Sequence, residues 1–137
     1  MERIIRRLLQ VAVAIFSWVP ILAGLAGVLL GPAMVEGFRI ADLSMDSHYR
    51  YLSGLLMGIG LGFLSCVSRI ESKTTRFQLL AAIVILGGLG RLYSLVVGGI
   101  PDGWMLFGLG MELIVTPLLA LGQWHIKRHA LAKPYQQ

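Results

Sequence analysis

Charge is scarce in this chain. Only 14% of its 137 residues are charged, against about 25% in soluble domains, and 56% are hydrophobic. A soluble domain this short has too little interior to hide that much apolar surface. Cysteine is nearly absent. Cys66 stands alone, which excludes an intramolecular disulfide, a Cys-x-x-Cys redox pair and a thiolate metal cluster. Ser53, Ser65, Ser68 and Ser94 have no His and acid at the spacing of a nucleophilic triad. The glycine clusters lie in apolar stretches or in one turn, so no phosphate-binding loop is recognisable. His48 is not expected to ligate a metal. His125 and His129 are spaced for one helix face but sit in a basic tail without a carboxylate. No metal, no cofactor and no catalytic residue are expected.

Long apolar sequence is what the chain has instead. Leu8–Leu30, Tyr51–Ser68, Phe77–Val97 and Trp104–Trp124 each satisfy the roughly 17–25 residues a spanning helix needs. The prediction is an all-α fold. It is a single integral membrane domain, a four-transmembrane-helix antiparallel bundle without a soluble lobe. The apolar run behind Arg3, Arg6 and Arg7 exceeds the core of a signal peptide, so an uncleaved first helix is expected.

The net charge of +5 is distributed by side of the membrane and not as a nucleic-acid patch. Arg3, Arg6, Arg7, Arg69, Lys73, Arg76, Lys127, Arg128 and Lys133 fall on one side by alternation of the spans. Arg39 and Arg50 fall on the other, with Glu36, Asp42, Asp46 and Asp102. The positive-inside rule then puts both termini in the cytoplasm. Tyr49, Tyr51, Trp104 and Trp124 stand at the expected interfaces, whereas Trp18 is mid-span and is expected to pack.

Small residues inside the spans predict close helix approach, because lipid offers no hydrophobic drive between helices and packing decides. Ala14, Ser17, Gly24 and Gly31 share one face. Gly54, Gly58 and Gly62 form overlapping GxxxG patterns beside Gly60, and the third span offers Gly87, Gly88 and Gly90. These read as seams of the bundle or as the face of a homodimer. Pro20 and Pro117 are expected to bend their helices, Pro117 loosening backbone near Glu112.

Two opposite charges are set into this apolar sequence. An ionised side chain at the centre of a bilayer costs about 2.5–3.5 kcal/mol on insertion scales. The turn Gly99-Ile100-Pro101-Asp102-Gly103 makes a hairpin of the last two spans. At 1.5 Å per residue, Arg91 lies about 9 Å below Val97 and Glu112 about 12 Å below Trp104. The two should meet, either as an ion pair fixing register or as the wall of an outward-facing polar pocket. Arg50 heads the second span after an apolar and charged loop, Glu36 to Tyr49, expected to roof such a pocket. Asp46 and His48 are candidate partners for Arg50, and Ser94 and Thr116 complete the pocket candidates.

The runs His48-Tyr49-Arg50-Tyr51-Leu52-Ser53-Gly54, Gly90-Arg91-Leu92-Tyr93-Ser94 and Met111-Glu112-Leu113, with Thr116-Pro117-Leu118, carry a resemblance. The chain resembles an uncharacterised bacterial four-helix membrane family, a domain of unknown function with DoxX-like relatives. The resemblance implies an inner-membrane protein with Arg50, Arg91 and Glu112 as polar positions, and no established activity. The functional expectation is a small integral membrane protein that binds an amphiphilic ligand or assists a membrane complex through an outer-leaflet polar pocket. An anionic headgroup would compete for Arg91 or Arg50. The alternatives are a membrane enzyme acting on a lipid or isoprenoid, with Glu112 as acid or base, and a small dimeric transporter. Expected partners are the bilayer, an amphiphile, and a second copy or another membrane protein.

Overall fold

A chain this apolar has no water along most of its length to satisfy backbone N–H and C=O groups, so it satisfies them within helices. The computed structural model describes residues 2–34 and 42–131, and among these there is no strand. Helix α1 (Glu2–Leu30) is followed by a 3₁₀ turn (Gly31–Met34), α2 (Leu43–Cys66), a second 3₁₀ turn (Val67–Arg69) and α3 (Thr74–Gly98). Then come α4 (Gly103–Gly110), a π-helical turn (Met111–Val115) and α5 (Thr116–Leu131), which run on without a break in helical backbone. Among the described residues four helical segments are long and apolar enough to cross a membrane: Arg3–Ala33, Leu43–Arg69, Thr74–Gly98 and Gly103–Arg128. Each expected span lies inside one of them, and the fold is all-α with the four long helices of a membrane bundle.

The second helix begins about two turns earlier than the sequence reading placed it. Asp42 is its N-cap, with extended backbone (φ −132°, ψ 121°) and a side chain that accepts from the Ser44 N–H at 2.8 Å. The Asp-x-Ser pattern is the capping signal that marks this start. The segment from Leu43 to Tyr49 is therefore helix and not loop. Residues 35–41, which include Glu36 and Arg39 of the expected roof, lie outside the described residues.

Two compact units divide the chain, Val11–Val67 and Met1–Gln10 with Ser68–Gln137. In the first, α1 buries Val13, Ser17, Ile21, Gly24, Gly27 and Gly31 along one stripe. A Cβ on Gly24 would lie 2.5 Å from the Ser53 carbonyl oxygen and 2.6 Å from the Met57 nitrogen. One on Gly60 would lie 2.7 Å from Ile21 Cγ1 and 2.9 Å from the Ser17 carbonyl oxygen. As α1 descends from Gly31 to Ser17, α2 ascends from Asp46 to Gly60, which is an antiparallel register. The seam on α2 is thus Asp46, Arg50, Ser53, Met57 and Gly60. The expected Gly54-Gly58-Gly62 face is not the seam. Gly58 is exposed with nothing near its Cβ position, and Gly54 meets only Val28 at 3.9 Å. Adjacent helical positions diverge by about 100°, so a face one residue off points elsewhere.

In the second unit α3 buries Thr74, Phe77, Ala81 and Gly88 against the last helical run. Of the expected Gly87, Gly88 and Gly90, only Gly88 is a contact, its Cβ position lying 2.7 Å from Leu113 Cδ2 and 2.8 Å from Glu112 Cβ. Gln123 is fully buried and locks the far end of this hairpin. Its Nε2 donates to the Ile70 carbonyl at 2.9 Å and to Thr74 Oγ1 at 2.8 Å, and its Oε1 accepts from Gln78 Nε2 at 3.0 Å. Arg6 reaches Glu71 Oε1 at 3.3 Å, and Leu9 packs on Gly122, so the first turns of α1 belong to this unit. The outward surface is apolar: Ile15, Leu22, Leu86, Val96, Ile114 and Leu118 are all exposed. Trp18, expected to pack, is 51% exposed and lies on this surface instead. In water such faces would associate; a membrane protein turns them to lipid.

Gly60→Leu should destabilise the α1–α2 pair by about 1–3 kcal/mol through overpacking against backbone. Gly58→Leu should stay within about 0.5 kcal/mol of wild type. Thermal loss of helical ellipticity in mild detergent reads both. Gln123→Leu should cost about 2–3 kcal/mol, because it leaves buried polar groups at Ile70 and Thr74 without their donor. The same measurement checks it against the conservative Gln123→Asn.

Candidate functional site

Besides Arg6–Glu71, two arginine–carboxylate pairs lie within the long apolar helices, each within its own unit. The α1–α2 pair is explained by helix ends. The last carbonyls of a helix have no N–H partner, and the end carries partial negative charge that favours a cation. Arg50 Nη1 donates to the Val28 carbonyl at 2.6 Å and the Leu29 carbonyl at 3.2 Å, at the end of α1. Its Nε donates to Asp46 Oδ2 at 2.8 Å, one turn back on α2. Gly31, at φ +65°, ends α1 in the left-handed region where glycine is favoured. A Cβ there would fall 2.6 Å from Arg50 Nη2 and 2.7 Å from Asp46 Oδ1. Arg50 and Asp46 therefore clamp the hairpin. His48, the other candidate partner, is exposed and lines a shallow open groove with Leu43, Ser44, Ser47 and Tyr51.

The second pair lies deep in the α3–α4 hairpin. Arg91 Nε donates to Glu112 Oε1 at 2.9 Å, and Arg91 Nη1 donates to Met105 Sδ at 3.0 Å. The Arg91 side chain is 39% exposed and that of Glu112 15%. Gly88 brings α3 close to the Glu112 backbone, and Gly108 leaves the guanidinium uncovered, its own Cβ position meeting only Arg91 Cζ at 3.9 Å. Neither bond uses Arg91 Nη2. Glu112 Oε2 is buried and has no hydrogen-bond partner. A donor and an acceptor at this pair are thus uncommitted.

The backbone at Glu112 departs from the α-helix in the same place. Pro117 has no N–H, and in an α-helix its ring clashes with the carbonyl four residues back, that of Leu113. The chain responds with the π-helical turn from Met111 to Val115, in which the Thr116 N–H is carried to the Met111 carbonyl. Thr116 Oγ1 donates to that same carbonyl at 2.9 Å. The Thr116 N–H is spent on Met111 and Pro117 has none to give, so no helical N–H reaches the Glu112 carbonyl. Thr116, a pocket candidate by sequence, acts on the backbone of its own turn. Ser94, another, is exposed on α3 one turn from Arg91.

Sequence reasoning passed over Met105 and the Gln78–Gln123 pair. The hairpin arithmetic that sets Arg91 near Glu112 also sets Gln78 near Gln123, since each step down one helix matches a step along the other. That signal was available in the sequence. The softness of a thioether as an acceptor gives no comparable signal for Met105.

Among the described residues no group of His, Cys, Asp and Glu gathers as a metal site would. The pair's chemistry is hydrogen bonding: a guanidinium with N–H groups to spare beside a carboxylate oxygen without a partner.

Comparison with known proteins agrees with this architecture. A UPF0132 membrane protein of Methanocaldococcus jannaschii is 36% identical over 68 residues, 50% of this chain. The match spans 61% of that relative's length. No solved structure matches the chain. A family model described as a domain of unknown function matches residues 8–123, a stretch that holds both arginine–carboxylate pairs and the π turn. The chain therefore belongs to this DUF4345 membrane-protein family.

Proposed function

We propose that this protein is a non-catalytic membrane protein that binds the polar end of an amphiphile at Arg91 and Glu112. The observation that carries the reading is the buried, unpartnered Glu112 Oε2 beside a guanidinium with Nη2 uncommitted. Buried polar atoms are nearly always paired, and an exception inside a helical hairpin marks a place that a ligand group can complete. A purely structural ion pair gains from two parallel bonds between guanidinium and carboxylate, and Arg91 makes only one to Glu112. The opening over Gly108 supports access from the lipid side.

The bias of basic residues supports a topology with both termini in the cytoplasm and the α3–α4 turn outside. In a cell with one energised membrane this is the inner membrane, and Arg91 and Glu112 then lie in its outer half. Arg50 is given no binding role in this reading, because its Nη1 is spent on the last carbonyls of α1 and its Nε on Asp46.

Native mass spectrometry of the full chain from mild detergent tests the proposal. Wild type should retain a specific amphiphile that Arg91→Met/Glu112→Met loses while keeping its helical content. Identical adducts on both proteins would overturn the binding role. A retained lipid that wild type alters chemically and Glu112→Gln does not would replace this reading with an enzymatic one. Glu112→Leu alone should cost about 2 kcal/mol or more of stability, as it leaves Arg91 unpaired among helices. Arg3→Ala, at an exposed site, should cost less than about 0.5 kcal/mol.

A further inference from the structure

The hydrogen-bond inventory at Arg91 and Glu112 narrows the occupant, an inference that rests on the amphiphile-binding reading above. Arg91 commits Nε to Glu112 Oε1 and one Nη1 N–H to Met105 Sδ, which leaves both N–H groups of Nη2 and the second of Nη1 as donors. Glu112 offers Oε2, buried and unpartnered. Uncommitted guanidinium N–H groups therefore stand beside one uncommitted carboxylate oxygen.

Charge then selects among head groups. Guanidinium and carboxylate are 2.9 Å apart and together neutral. A phosphate or carboxylate drawn to Nη2 brings a second negative charge against Glu112 in apolar surroundings, where screening is weakest. An ammonium drawn to Oε2 meets the same obstacle at Arg91. A hydroxyl meets neither. Its oxygen accepts from Nη2 and its hydrogen donates to Oε2, which completes the carboxylate without adding charge. An ester carbonyl or ether oxygen answers Nη2 alone and leaves Glu112 unpaired.

We propose that Arg91 and Glu112 take the uncharged hydroxyl head of an amphiphile, entering over Gly108. Its hydrocarbon lies along the apolar surface of the α3–α4 hairpin, where Leu92, Val96 and Phe107 are exposed. The anionic head group expected from the sequence is disfavoured for a reason the sequence does not display: the second Glu112 oxygen is left over after the ion pair forms. Two sources carry the hydroxyl chemistry, a glycerol head such as diacylglycerol and a long-chain prenyl alcohol.

The test adds dioleoylglycerol, farnesol, dioleoylphosphatidic acid and dioleoylphosphatidylcholine, at equal concentrations, to the full chain in detergent. Native mass spectrometry reads the retained adducts. Wild type should retain dioleoylglycerol or farnesol about tenfold over both phospholipids, and which of the two is retained identifies the source. Glu112→Gln keeps the shape and removes the repelling charge, so its preference should move toward phosphatidic acid. Gly108→Leu covers the guanidinium without altering the pair and should lose the alcohol adduct. If wild type retains phosphatidic acid best and Arg91→Met/Glu112→Met loses it, the neutral-head inference fails while amphiphile binding stands. If no lipid exceeds phosphatidylcholine, or all adducts persist in the double variant, amphiphile binding fails and takes this inference with it. Unchanged selectivity in Glu112→Gln would overturn the role given to Glu112.

Discussion

Hydrocarbon neither donates nor accepts a hydrogen bond, and this constraint governs almost every polar side chain in the protein. Each polar group set among the helices must find its partner in the chain. Ser17 and Ser53 donate to the carbonyls of Val13 and Tyr49 in their own helices. Gln123 gathers the Ile70 carbonyl, Thr74 and Gln78. Arg50 takes the last carbonyls of α1, which helix geometry leaves unpaired. Among the described residues three buried carboxylate oxygens have no partner, Asp46 Oδ1, Glu71 Oε2 and Glu112 Oε2, and Glu112 lies farthest along a span from its ends.

The two helical pairs solve close approach differently. Between α1 and α2 the contact is backbone on backbone. Gly24 and Gly60 remove the side chains that would separate them, and Gly27 admits the Ser53 side chain. Dispersion at short range replaces the hydrophobic effect that lipid cannot supply. Between α3 and the last helical run the contact is polar at both levels, Gln78 with Gln123 at one and Arg91 with Glu112 at the other. Gly88 alone performs the close approach.

The π turn links fold to candidate function. Pro117 cannot continue the α-helical ladder, and the extra residue in the turn redirects the Thr116 N–H and hydroxyl to one carbonyl, that of Met111. The Glu112 carbonyl loses its donor in the same step. Helical distortion and an incompletely paired carboxylate thus occupy one residue, and the distortion has an identifiable cause.

By itself the sequence determined the class of the protein and the positions of its four long helices, because apolar length is a local property that hydrocarbon thickness reads directly. It also determined that Arg91 and Glu112 face the same level, since a tight Pro-Asp-Gly turn and a fixed helical rise leave little freedom. It did not determine which small residues make the seams. GxxxG spacing describes a smooth face, and only the partner's position selects Gly60 over Gly58 and Gly88 over Gly87. Nor did it assign the arginines their different tasks. Arg50, at the head of a span, and Arg91, inside one, both read as cations of one polar pocket. Tertiary structure alone gives Arg50 the open end of α1 and sets Arg91 against Glu112 and Met105, because hydrogen-bond inventories depend on which acceptors lie within about 3 Å.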